Sequence, residues 1–224
     1  MSQRKPPQEQ IDHILNLFKS NQIQQALDFI DTLSKDYPDK SLLFNIRGAG
    51  YAGLGQLDIA VQNYEKALSI KPDYAKAHYN LGSALQELGK LHDSVKSYEN
   101  SIALEPENAQ AHNNLAIVLR ELDQLEEAEA SCRKAIVLDP EYAEAYSSLS
   151  VILYANGDLN SALESIEKAY SINPKIKIIK LLLAVLKARK IHKASKVSIS
   201  NIQSISNPLI LYRAVEQELI AKLY

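Results

Sequence analysis

The sequence predicts an all-α solenoid, a stack of helical hairpins in which no hairpin has a core of its own. Three observations predict it. Five of the eight prolines, Pro38, Pro72, Pro106, Pro140 and Pro174, recur every 34 residues, and a fixed period of that length marks stacked supersecondary units. Within the clearest unit, Ala75 to Asn108, Leu81, Leu85 and Leu88, then Leu91, Val95, Tyr98 and Ile102, recur at spacings of three or four. That is the pattern of two helices, each with one buried face. Gly82, Ser94 and Ser101 are small where a Leu would hold the two backbones apart, so the helices can approach to roughly 8 Å.

Gly89 is the natural stop for the first helix of that unit, because it takes the left-handed conformation a C-terminal cap needs. Pro106 ends the second helix: it lacks an N–H and disfavours helix at Glu105. The chain then turns and starts again.

His78, Asn80, Leu81, Gly82, Tyr98 and Pro106, in these slots, strongly resemble the tetratricopeptide repeat family. The resemblance implies a right-handed superhelix. Its small slots read Gly48, Ala60 and Ala67 in the unit at 41–74; Ala116, Ala128 and Ala135 at 109–142; and Ser150, Ala162 and Ala169 at 143–176. The unit at 7–40 keeps Ala26, Ile30, Leu33 and Pro38 but has Ile14 where a small residue is expected. Five units (7–40, 41–74, 75–108, 109–142, 143–176) therefore follow a polar, mobile start at 1–6.

The first helix of the first unit carries Ile11, Ile14, Leu15, Leu17 and Phe18, more than a solvent-facing cap requires. That end is expected to pack against something, such as a second copy of the chain. Residues 177–190 read as an apolar capping helix that closes the stack, short of the ~20 residues a membrane span needs. Residues 191–206 read as a linker. Residues 207–224, with NPLILYR followed by AVEQELIAKLY, read as a strand and a helix that could begin a further domain or self-associate.

Charge is unevenly spread. Residues 1–174 hold 15 basic and 25 acidic groups, a net of −10, whereas 175–224 hold 10 and 2, a net of +8. Such asymmetry can mark a nucleic-acid or membrane arm, but no aromatic residue lies between Pro174 and Leu211, which disfavours base stacking. The single cysteine, Cys132, excludes an internal disulfide and sits in the slot of Tyr64 and Tyr98, so it reads as a core thiol. The start MSQRKPPQEQ has no apolar run and is no secretory signal. Cytoplasmic residence is the default expectation.

No nucleotide loop, zinc spacing or nucleophile motif is present, so no catalytic residue, cofactor or metal site is expected. His78 and His112 fill the aromatic slot of Phe44 and Tyr146, which points to packing. The family register instead implies a concave groove lined by the first helices: Asn45 and Ala49; Lys76, Tyr79, Asn80, Ser83, Gln86 and Glu87; Gln110, Asn113, Asn114, Ile117, Arg120 and Glu121; Ser147, Ser148, Val151 and Tyr154. Amides, hydroxyls and tyrosines suit an extended peptide, because an amide both donates to and accepts from a backbone.

Asn80 and Asn114 match the asparagine ladder in repeats of O-linked N-acetylglucosamine transferases, although Ile46 and Ser148 break it at either end. The carboxylate clamp of chaperone-binding repeats finds only Lys76 among Ile11, Leu15, Ile46, Lys76 and Asn80. The reading is a non-catalytic interaction scaffold for a protein or peptide. The alternative is the substrate-presenting front of a larger enzyme, a 2-oxoglutarate-dependent iron oxygenase or a transferase, to whose bacterial repeat-bearing members the chain looks similar.

Overall fold

The fold grows from one local rule: each helix ends where a residue takes a special backbone conformation. A computed structural model describes residues 6–195, with nothing said of the side chains of residues 178 and 191–195. Eleven helices are found among the described residues, and no strand. Between the two helices of each hairpin stands one left-handed residue: Asn21 (φ 58°), Gly55 (72°), Gly89 (73°), Asp123 (61°) and Gly157 (86°). These positions repeat every 34 residues. Gly is at ease there, and Asn and Asp are the side-chain-bearing residues that tolerate it best.

The second helices end two residues before the periodic prolines. The intervening residues Tyr37, Lys71, Glu105, Asp139 and Asn173 have φ between −131° and −139°, out of the helical region, as a residue before proline should be. Each donates its N–H to the carbonyl four residues back.

The chain divides into two compact units after Leu122. The first holds α1 (Gln8–Lys19), α2 (Ile23–Asp36), α3 (Ser41–Gly53), α4 (Leu57–Ile70), α5 (Ala75–Glu87), α6 (Leu91–Leu104) and α7 (Ala109–Glu121). Each helix packs on the next, and the first helices α3, α5 and α7 also touch in sequence. Small residues set the close approaches. A Cβ on Gly48 would lie 2.5 Å from the Tyr64 ring, and one on Gly82 would lie 3.0 Å from that of Tyr98. The Ser94 hydroxyl donates to the Gly82 carbonyl at 2.7 Å.

Hairpin α1–α2 joins the stack through a cluster of Ile11, Ile14, Ala26, Ile30, Leu33, Leu43 and Ile46. Ile14 is fully buried, so its bulk fills the slot that smaller residues hold elsewhere. Arg47 stands where Leu81 and Leu115 stand in later units. Its guanidinium meets Asp31 at 2.7 Å and Ser34 at 2.9 Å, pinning α3 to α2. On α1 itself the exposed face is polar except for Leu15, 42% exposed, so α2 and α3 cover most of the apolar surplus read from the sequence.

The second unit holds α8 (Leu125–Leu138), α9 (Ala143–Ala155), α10 (Leu159–Ile172) and α11 (Lys177–Ser195). Asp158 caps α10, accepting the Ser161 N–H at 3.0 Å. Cys132 is fully buried and its thiol donates to the Ala145 carbonyl at 3.0 Å. The capping helix runs to Ser195, five residues beyond the expected 190, so the first part of the expected linker is helical. The stretch from Lys190 to Ser195 contains neither glycine nor proline, and nothing there stops a helix already begun. Residues 1–5 and 196–224, and with them the expected strand and helix at 207–224, lie outside the described residues. No helix among the described residues is long and apolar enough to cross a membrane.

Candidate functional site

The first-helix residues of α3, α5 and α7 meet at a 35-residue offset. Asn80 Nδ2 on α5 donates to Asn45 Oδ1 on α3 at 3.0 Å. Asn114 Nδ2 on α7 donates to the Tyr79 hydroxyl on α5 at 3.0 Å and lies 3.5 Å from that of Tyr98. At the far end of the same helices Gln86 Nε2 donates to Glu121 Oε1 at 3.3 Å, and Arg120 stands 3.9 Å from that carboxylate. Each rung ties one hairpin to the next.

Burial separates the candidates. Asn45 is 6% exposed and Asn113 only 3%, so both belong to the packing between hairpins rather than to an open surface. Asn45 also hydrogen-bonds Tyr74. Tyr79, Asn80, Ser83, Gln86, Asn114, Ile117 and Arg120 are half-buried, and Lys76 is exposed. Lys76 Nζ lies 4.6 Å from the centroid of the Tyr79 ring, whose edge packs against Tyr98 at 5.7 Å. Neither Asn80 nor Asn114 hydrogen-bonds through its Oδ1 among the described residues, which leaves two amide acceptors on one face.

In the second unit Ser147 is 9% exposed and its carbonyl accepts from the Ser150 hydroxyl at 2.8 Å. Tyr154 is half-buried, with the Arg189 guanidinium 5.6 Å over its ring. Sequence reasoning missed three parts of these surroundings: the Tyr74 and Tyr98 hydroxyls, and Arg189, which lay in a helix read only as a cap. The recurrence of Tyr at 64 and 98 was the one available signal.

Burial pushes the Tyr98 hydroxyl up to about 12, against the lowering effect of hydrogen bonds from Ser83 and Asn114. Tyr79 is raised by burial and partly restored by Asn114. Burial also pushes the Cys132 thiol up to about 12, which leaves it protonated and unreactive. His78 Nε2 lies 2.9 Å from the Pro72 carbonyl and His112 Nε2 3.0 Å from that of Pro106, so both rings brace a proline turn. Among the described residues no group of three or more His, Cys, Asp or Glu could hold a metal ion.

Models described as TPR repeat and tetratricopeptide repeat match residues 50–89, 79–143 and 143–176, a continuous run over more than half of the chain. The chain belongs to the tetratricopeptide repeat family. A peroxisomal targeting signal receptor of Candida albicans is 36% identical over 67 residues, 30% of this chain and 11% of that one. The chain spans only 11–12% of the length of the curated relatives it matches.

Among solved structures, PilW, a type IV pilus biogenesis factor, has a TM-score of 0.77 at 24% identity over 84% of this chain and 87% of its own. YrrB, described as having an unusual peptide-binding site, has 0.65 at 22% identity over 81% and 90%. These likenesses carry the fold. Tetratricopeptide repeats support a protein-interaction scaffold, and the fold is typically non-catalytic.

Proposed function

We propose that the first-helix face of α3, α5 and α7 binds an extended segment of a protein partner. The observation that carries this reading is the arrangement of Asn80 and Asn114. Each side chain is held by its Nδ2 to the preceding hairpin, which fixes the amide while its Oδ1 stays open to accept a backbone N–H. Holding the amides in place before the ligand arrives lowers the ordering cost of binding. Tyr79, Ser83 and Ile117 beside them supply ring, hydroxyl and aliphatic contacts for side chains.

The relatives named as receptors of a targeting signal are in keeping with a segment-binding role. Lys76 and Arg120 against Glu87 and Glu121 make the face mixed in charge, so selectivity comes from hydrogen bonding and shape. Without a charge clamp the affinity is on the order of micromolar, about −8 kcal/mol.

The test is selection of peptides from a random library with the full chain, followed by titration of the selected peptides against variants. Lys76→Ala with Ile117→Ala should weaken them about tenfold or more. Lys66→Ala with Lys96→Ala, on the exposed sides of the second helices, should leave them unchanged. The reverse pattern would overturn the reading.

A further inference from the structure

The first and last described helices, α1 and α11, differ in charge. Helix α11 packs on α10 through an apolar side that includes the buried Ile179, Val185 and Leu186. Its other side exposes Lys177, Lys180, Ala184 and Lys187, a stripe at helical spacing, flanked by the half-buried Leu181 and Leu183. Lys187 is held by Glu167 at 2.9 Å. Lys177 and Lys180 form no ion pair among the described residues. From 177 to 195 the helix carries six basic residues and no acid.

Helix α1 is its counterpart. It exposes Glu9, Asp12, Asn16 and, in its last turn, Lys19 along one side, with Leu15 at the edge. Glu9 and Asp12 are three residues apart, as Lys177 and Lys180 are. Residues 7–40 hold six acidic and three basic groups. Every later first helix in the first unit packs on the hairpin before it, whereas α1 follows no described hairpin.

We propose that α11 of one copy docks on the exposed side of α1 of a second copy, with Lys177 and Lys180 facing Glu9 and Asp12. Charge selects this occupant. Residues 196–224 hold three basic and two acidic groups, so that segment does not complement a six-cation helix, whereas hairpin α1–α2 does. A lipid surface is disfavoured because the apolar side of α11, which would have to enter it, is already spent on α10.

The contact is heterologous, so each copy offers one head and one tail, and association is open-ended unless the rotation closes a ring. It uses none of the first-helix side chains of α5 and α7, so its failure leaves the peptide face untouched, and the converse holds.

Sedimentation of the full chain tests it. Weight-average mass should rise with concentration at low salt and return to the monomer value in ~0.5 M salt, where exposed charges are screened. Lys177→Glu with Lys180→Glu, or Glu9→Lys with Asp12→Lys, should weaken association about tenfold or more. All four in one chain should restore it. Mixing the two reversed chains, each unable to pair with itself, should restore open-ended association with the two chains alternating. A monomer at every concentration in low salt would overturn the proposal. So would association that ignores the reversals or that depends instead on residues 196–224. Capture by anionic vesicles without self-association would overturn it too.

Discussion

Asn80 on α5 donates its side-chain amide to Asn45 on α3 across 3.0 Å, and Asn45 is almost wholly buried. Removing the donor strands a buried acceptor, which costs more than the bond itself is worth. Asn80→Ala should therefore destabilise the chain by about 1–3 kcal/mol, read as a lower urea midpoint. Asn45→Ala/Asn80→Ala should cost less than the sum of the single changes. Strict additivity would mean that the two amides do not interact in solution.

Glycines at the same slot of α3 and α5 differ in how tightly they are enclosed. Gly48→Ala drives a Cβ to 2.5 Å from the Tyr64 ring, itself 3% exposed. Overpacking of this kind costs about 1–3 kcal/mol and outweighs the ~1 kcal/mol gain in helix propensity. At Gly82 the nearest ring atoms are 3.0 Å away, so Gly82→Ala should be the milder change. The order of the two melting temperatures checks this.

Asp123 is the bulkier exception in a series of left-handed turn residues in which three are glycine. Because an L side chain is strained there, Asp123→Gly should stabilise the chain by about 0.5–1 kcal/mol. Gly89→Ala should do the opposite, although nothing crowds its Cβ. A destabilising Asp123→Gly would show that the carboxylate makes up for the strain.

Alkaline pH should unfold the chain in a defined window. Tyr98 has its hydroxyl raised from the ordinary 10 to about 12, and Tyr64 is raised as well, both chiefly by burial. A group whose folded pKa is raised contributes stability that is complete below its unfolded pKa and is lost as pH rises through the folded one. Stability should thus be flat up to pH ~10 and fall towards 12, and tyrosinate absorbance from these two rings should appear together with unfolding. Cys132 should stay unreactive to a thiol reagent until urea opens the second unit. Rapid labelling of the native chain would contradict its burial.

The hairpin plan was legible because close packing and helix termination impose residue types. Prolines 34 apart end the second helices, and Gly48 and Gly82 must be small because a tyrosine ring lies against each. Two of the five turn residues, Asn21 and Asp123, could not be read with the same ease, since many residues between helices are Asn or Asp without being left-handed. Depth was harder still. The register placed Asn45, Asn113 and Ser147 on the first-helix face but not how far neighbouring side chains close over them. At Asn45 that closure is made by Tyr74 and Asn80, from the next hairpin. The end of α11 was misjudged because lysines and serines without an apolar period look like a linker, although they are compatible with a helix.

The peptide face of the first unit is tested most directly by hydrogen exchange of the full chain with and without a library-selected peptide. Slower exchange in α5 and α7, with α4 and α6 unchanged, is the predicted result. Protection confined to the second helices, or none at all at saturating peptide, would contradict it.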